Sequence, residues 1–180
     1  EVRNLSASPA EIQMLYHTNI GAPQLDAGSK LVVPAKTVVP RNDHAAKDVA
    51  DWADYKAEQP GYEEQVYFFE LIGDEKDRTQ VLLKNAHGTS GVSLSFGKKQ
   101  LPWFTQWKNT TAIVDGHVTG IEPATNFPNP RTYEGEQGRA VKLAAGATQA
   151  FDLGLSWHRD AQTVAKAEAT ITRRQETTNP

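Results

Sequence analysis

Most of the chain alternates between apolar and polar residues in short runs. Each run covers about 4 to 8 residues and is bounded by Gly, Pro, Asn or Asp, which is typical of half-buried β-strands. In GVSLSFG, Val92, Leu94 and Phe96 fall on one side and two serines on the other. In AFDLGLSWH, the same alternation predicts one buried face made of Phe151, Leu153, Leu155 and Trp157.

Nine less regular runs complete a set of about eleven predicted strands. They are EVRNLS, EIQMLYHT, KLVVP, KTVVP, QVYFFELI, RTQVLLKN, WFTQWKN, HVTGIE and RAVKLAA. Many short strands joined by short turns favour an all-β fold, an antiparallel β-sandwich, over any arrangement with alternating helices.

Two segments depart from the strand pattern. The segment NDHAAKDVADWADYKAEQPG (residues 42–61) predicts one surface helix, with Asn42 or Asp43 as N-cap and an end before Pro60. From Asp160 to about Arg174, a composition rich in Ala, Lys, Glu and Arg is compatible with a helix or an extra strand, followed by the polar tail ETTNP. We expect the sandwich to occupy residues 1–158 and a C-terminal extension residues 159–180.

Composition narrows the class of protein. With 180 residues and 38% apolar content, the chain is of the size of one domain. Its 19 basic and 22 acidic residues give a net charge of −3 without a basic stripe, so nucleic acid is not an expected partner. It has neither an apolar run that could span a bilayer nor a recognisable signal peptide, and it has no cysteine, which favours a cytoplasmic location.

Two residues at predicted strand ends are candidates for acid–base chemistry. In MLYHTNIGAP, His17 falls on the same face as Gln13 and Leu15, before a turn at Gly21. In GIEPATNFPNPR, Glu122 ends a strand and precedes a proline-stiffened loop. Each has a purely structural alternative, namely a hydrogen-bonded histidine and an exposed carboxylate.

Two further segments carry candidate binding groups. In QPGYEEQVYFF, Glu63 and Glu64 are neighbours, so they face opposite sides of a strand and at most one can enter a given cleft. In WFTQWKN, Trp103 and Trp107 share a face and could form either an aromatic platform for a sugar or part of the core.

The segments LYHTNIG, GYEEQVYF, LPWFTQWKN and GIEPATNFP together resemble the galactose-mutarotase-like superfamily, and most closely its aldose 1-epimerase-like branch. The resemblance covers about residues 1 to 158. It implies a supersandwich fold in which His17, Glu63 and Glu122 match, in chain order, the family's histidine, carboxylate and glutamate base. Mutarotase domains are larger than this chain, so we expect that an N-terminal portion of the domain is missing from the sequence.

The resemblance implies an enzyme that interconverts the anomers of a small-molecule sugar. Glu122 would be the base at O1 and His17 the acid at the ring oxygen, with ordinary pKa values of about 4.3 and 6.5. Glu63, Gln65, Trp107 and Asn126 would contact the sugar, and no metal or organic cofactor is needed. The alternatives are a non-catalytic carbohydrate-binding sandwich and an accessory domain of a carbohydrate-active enzyme.

Overall fold

The chain folds as an antiparallel β-sandwich, as predicted. The computed structural model describes residues 1–176; residues 177–180, most of the predicted polar tail, lie outside the described residues. The strands are β1 (Val2–Arg3), β2 (Ala10–Ile12), β3 (Thr18–Gly21), β4 (Lys30–Val32), β5 (Ala35–Pro40), β6 (Gln65–Leu71), β7 (Arg78–Lys84), β8 (Gly91–Gly97), β9 (Trp103–Asn109), β10 (Val118–Ala124), β11 (Val141–Leu143), β12 (Thr148–Gln149) and β13 (Leu153–His158). The α-helices are α1 (Asp43–Ala46), α2 (Arg131–Glu136) and α3 (Ala161–Glu176), and 3₁₀ turns cover Val49–Asp51 and Ile113–Asp115.

Two antiparallel sheets form the layers of the sandwich. The larger sheet has the order β3-β10-β9-β6-β5, and the smaller has the order β13-β8-β7-β4. Two short ladders, β1 with β12 and β2 with β11, lie outside them. Because β3, β10, β9 and β6 are neighbours, residues far apart in the sequence meet on the larger sheet.

The hydrophobic core lies between the two sheets. Phe69 and Phe104 of the larger sheet and Leu94 and Phe96 of the smaller sheet are fully buried. The rings of Phe96 and Phe104 stack across the layers with centroids 6.5 Å apart. The alternation predicted for GVSLSFG is therefore observed.

The outer face of the smaller sheet is covered by α3. Val164, Ala167 and Ile171 of this helix form a second apolar cluster with Leu82 of β7. Asp160 precedes the helix and accepts a hydrogen bond from the backbone N–H of Thr163 at 2.8 Å. Of the two alternatives for this segment, the structure therefore has the helix.

The predicted helix over residues 42–61 is wrong in length. Asn42 is the N-cap, since its side chain accepts a hydrogen bond from the N–H of Ala45, but α1 ends at Ala46. Further on, the N–H of Leu31 donates to the carbonyl of Ala53, and the N–H of Tyr55 donates to the carbonyl of Ser29. A continuous helix would need these backbone groups for its own hydrogen bonds. Because they pair with the preceding loop and strand instead, the helix cannot continue through this segment.

The face predicted for AFDLGLSWH is only partly buried. Phe151 and Leu153 pack against the core, whereas Leu155 is 61% exposed and Trp157 is 53% exposed. The strand β13 lies at the edge of the smaller sheet. Alternation therefore gave the correct face, but sequence does not show where the opposing layer stops.

The predicted strand EIQMLYHT is interrupted. It divides into β2, a single bridge between Leu15 and Ala124, and β3, which begins at Thr18. His17 therefore precedes a strand instead of ending one. The N–H of Tyr16 still donates to the carbonyl of Pro123 at 3.0 Å, which keeps this segment beside the end of β10.

None of the helices within residues 1–176 has the length and apolar character needed to cross a membrane.

Candidate active site

A pocket of about 290 Å³ lies on the face of the larger sheet that points away from the core. Strand alternation explains its composition, because Trp107 and Thr105 pair with Gly120 and Glu122 in the register of β9 and β10 and share their side of the sheet. The lining residues are Leu15, His17, Arg41, Glu64, Val66, Thr105, Trp107, Glu122 and Pro128.

His17 and Glu122 meet in this pocket. Nε2 of His17 lies 3.0 Å from Oε1 of Glu122. The contact has ion-pair distance without the alignment of a hydrogen bond, so Oε1 remains a buried carboxylate oxygen with unused hydrogen-bonding capacity. The His17 side chain is 48% exposed and that of Glu122 only 3%, so the pair joins a reachable imidazole to a buried carboxylate.

The environment of Glu122 favours its protonated form. Burial raises the pKa of the Glu122 carboxyl to about 7, and the neighbouring His17 charge opposes this increase. A carboxyl group that titrates near neutral pH can accept and release a proton under physiological conditions. The exposed-carboxylate alternative for Glu122 does not apply, since the residue is 2% exposed and lies within β10.

Two neighbours fix the ring of His17. Nδ1 lies 2.7 Å from Oδ1 of Asn19, which can only accept, so Nδ1 carries a proton in this contact. The Trp107 ring packs edge-to-face against the imidazole with centroids 5.4 Å apart. With Nδ1 occupied by Asn19, Nε2 is the nitrogen that faces Glu122.

Of the two adjacent glutamates, the structure brings Glu64 and not Glu63 to the pocket. Oε2 of Glu64 accepts a hydrogen bond from the indole N–H of Trp107 at 2.7 Å. Glu63 instead lies 3.5 Å from Nδ1 of His44, with its side chain 73% exposed. Glu63, predicted as a sugar contact, therefore lies outside the pocket: both glutamates precede β6, and Glu64 takes the position facing the indole.

Two other predicted sugar contacts also lie outside the pocket. Gln65 points to the opposite face of the sheet, where its Nε2 donates to Asp48 at 2.7 Å and its Oε1 accepts from the Tyr62 hydroxyl at 2.6 Å. Asn126 is buried and donates to the carbonyl of Phe127 at 2.7 Å. The amide of Asn126 is used in this contact within the loop. Asn126 matches the family's position along the chain, but it makes no contact in the pocket.

The loop after β10 is held by a buried ion pair that the sequence did not reveal. Glu134 is fully buried and accepts two hydrogen bonds from the guanidinium of Arg139, each at 2.7 Å. It also accepts from Asn129 at 2.8 Å. These contacts join α2 to the loop that carries Pro128 into the pocket wall.

A second cavity of about 390 Å³ lies next to the first on the same sheet face. Arg41 lines both. Trp103 lines the second cavity and packs against Phe127, with centroids 4.8 Å apart. Trp103 and Trp107 thus share a face, as predicted, and neither is a core residue.

Gln106 and Lys108 of β9 point to the core side of the sheet. The Lys108 ammonium donates to three backbone carbonyls, with the shortest contact to Asp54 at 2.6 Å. Burial lowers the pKa of Lys108 to about 8. Lys108 therefore supports the irregular segment after α1 and does not face the pocket.

The described residues contain no group of three or more His, Asp or Glu placed to hold a metal ion. The polar groups that line the pocket within residues 1–176 are one imidazole, one guanidinium, two carboxylates, a hydroxyl and an indole.

The fold is a galactose-mutarotase-like β-sandwich, and His17 and Glu122 lie on the open face of its larger sheet. The family model described as "Domain of unknown function (DUF4432)" matches residues 1–157, and the chain belongs to this family.

A solved structure extends the comparison. The chain is similar to a protein from Klebsiella pneumoniae subsp. pneumoniae described as "a putative aldose 1-epimerase", with 35% identity and a TM-score of 0.94. The match covers 96% of this chain and 45% of that one, so the chain spans less than half the length of the protein it resembles. A comparison with curated proteins gives no match.

Proposed function

We propose that this chain carries the acid–base pair of an aldose 1-epimerase-like enzyme, which interconverts the anomers of a sugar. The observation that carries the proposal is the contact of His17 with the buried Glu122, 3.0 Å apart in one open pocket. The description of the similar Klebsiella protein supports the same activity.

The reaction needs one base and one acid beside each other. The base removes the proton from O1 while the acid protonates the ring oxygen, and the bond from C1 to the ring oxygen breaks. After rotation about the C1–C2 bond, the ring closes on the other face of the carbonyl and both protons return. Since O1 and the ring oxygen are bonded to the same carbon, adjacent acid and base groups fit this chemistry.

Glu122 is the base, and His17 is the acid in its doubly protonated form, which donates from Nε2 while Nδ1 keeps its proton on Asn19. A carboxyl group with a pKa of about 7 is a stronger base than an ordinary glutamate and is still substantially ionised at neutral pH. The half-exposed imidazole of His17 can be reached by a sugar from solvent. The sugar then takes the place of the direct contact between Nε2 and Oε1.

The remaining pocket residues suit a sugar ring. Trp107 offers an aromatic surface, and its N–H holds the carboxylate of Glu64 at the pocket edge, where it can accept from sugar hydroxyls. Leu15 and Val66 supply apolar surface, which together with few oriented polar groups is typical of small-molecule sites.

The second candidate is a carbohydrate-binding or accessory domain without turnover. It is favoured by one observation: Glu63, Gln65 and Asn126 lie outside the pocket, so the described residues offer fewer sugar contacts than the resemblance implies. Such a domain would bind sugar without needing proton transfer from the sugar to Glu122 or from His17 to the sugar.

The two candidates are separated by NMR measurement of anomer exchange on a panel of aldoses with the full chain. For the enzyme, Glu122→Gln and His17→Asn each lower the exchange rate by about 10²–10⁴-fold, which is typical for loss of a positioned acid or base. The matched control is His158→Asn, because His158 contacts Ser93 on the other sheet. Sugar binding without exchange supports the second candidate, and full rates in both pocket variants contradict the first.

A further inference from the structure

Gly120 lies beneath the contact between His17 and Glu122. It is in the middle of β10, two residues before Glu122 and therefore on the same side of the sheet. Its partners in the neighbouring strands are Trp107 and Asn19. Both of these residues also contact the ring of His17, so the imidazole lies above Gly120 and between its neighbours.

A side chain at position 120 would occupy the space of the pair. A Cβ atom there would overlap Oε1 of Glu122 and lie 3.1 Å from the carboxyl carbon of the same residue. It would lie 3.2 Å from Cε1 of His17. Both distances are shorter than the roughly 3.5–4.0 Å of a favourable carbon contact.

The backbone gives no other reason for glycine at this position. Gly120 is not among the glycines with positive φ, so an L-residue can adopt its conformation. Glycine within a strand costs stability relative to residues with a side chain, and it often marks a close approach of another group. At Gly120 that group is the carboxylate of Glu122.

We propose that Gly120 is a positioning residue, whose missing side chain forms the slot in which the Glu122 carboxylate and the His17 imidazole meet. The effect on turnover rests on the proposed function, whereas the effect on the geometry of the pair does not. The two can therefore be tested separately.

The first test compares Gly120→Ala with wild type by NMR titration of the Glu122 carboxyl and the His17 ring. The added methyl displaces the carboxylate towards water, so the pKa of Glu122 falls from about 7 towards its ordinary range. The matched control is Gly97→Ala in β8, where the nearest atom to an added Cβ is 3.5 Å away and the titration stays unchanged. An unchanged titration in Gly120→Ala overturns the inference, whether or not the protein turns over a sugar.

The second test asks whether the methyl acts through the carboxylate. In an active protein, Gly120→Ala lowers anomer exchange by about 10²-fold, as expected for displacement of a catalytic group by about 1 Å. In the background of Glu122→Asp, whose carboxylate is one carbon shorter, the same methyl costs a smaller factor. Equal factors in both backgrounds overturn the inference.

A folding failure is also informative. If Gly120→Ala unfolds but the double variant Gly120→Ala/Glu122→Ala folds, the overlap with the carboxylate is the cause, and the inference stands. If both unfold, glycine is needed by the sheet itself, and the inference is overturned.

Discussion

At the scale of single residues, the main feature is the carboxyl group of Glu122, which is buried where its ionisation costs free energy. Glu122 is 2% exposed, and its Oε1 has no aligned donor. Burial raises its pKa to about 7, although the His17 charge acts in the opposite direction. If this position served only the fold, a glutamine or an apolar side chain would avoid the free-energy cost of burying a carboxylate.

This burial predicts a dependence of stability on pH. The pKa of Glu122 is higher in the folded chain, about 7, than its ordinary value of 4.5, so the folded state keeps its proton longer. Stability therefore falls as the pH rises from about 4.5 through 7, by roughly 3 kcal/mol in total from this group. Glu122→Gln removes this loss, so the variant is more stable than wild type at pH 8.

Urea denaturation across this pH range measures the effect. Glu75→Gln is the control, because Glu75 is exposed and its replacement leaves the pH profile unchanged. Parallel profiles for wild type and Glu122→Gln would contradict the prediction.

At the scale of elements, the alternation of β6 and β9 decides which side chains reach the pocket. Sequence predicts β8 well, because it places Val92, Leu94 and Phe96 on one face and two serines on the other. It also predicts that only one of Glu63 and Glu64 enters the cleft. It cannot say which one, because both precede β6 and no ladder bond fixes their orientation.

The other differences between the sequence predictions and the structure arise from contacts that local sequence does not determine. The segment at residues 42–61 has helical composition, but its backbone groups pair with residues 29–31. His17 falls between β2 and β3 because the chain there follows the end of β10. The ion pair of Glu134 with Arg139 depends on the path of a loop, which local sequence does not determine.

The two glutamates give a matched pair of variants. In the proposed enzyme, Glu64→Gln removes a charged acceptor at the pocket edge, and loss of a hydrogen bond to a charged group, worth about 1.5–3 kcal/mol, lowers kcat/KM for anomer exchange about 10- to 100-fold. Glu63→Gln changes an exposed side chain outside the pocket and leaves kcat/KM unchanged. The opposite ranking of the two variants would show that Glu63 is the sugar-binding carboxylate after all.

At the scale of the whole molecule, the residues that stabilise the fold lie apart from the residues that line the pocket. The core and α3 lie on one side of the larger sheet, and the pocket lies on the other. Truncation of a buried side chain of α3 should therefore weaken the fold without moving the contact between His17 and Glu122.

Ile171→Ala tests this separation. Ile171 is fully buried against Leu82, and loss of a buried Ile side chain costs about 2–5 kcal/mol of the free energy of unfolding. Below the unfolding transition, the pKa of Glu122 and the rate of anomer exchange stay as in wild type. Ile171→Val gives a smaller loss, about 0.5–1.5 kcal/mol, as a graded control. A shift in the Glu122 titration in folded Ile171→Ala would show that the layers are coupled.

The position of Trp107 also gives the pocket an optical property. Its indole N–H donates to Glu64 and its ring borders His17, so the surroundings of this fluorophore change when a molecule binds in the pocket. Trp52, Trp103 and Trp157 do not line the pocket and supply a steady background emission. The proposed binding of a sugar can therefore be followed by the fluorescence of Trp107, even where no proton is transferred.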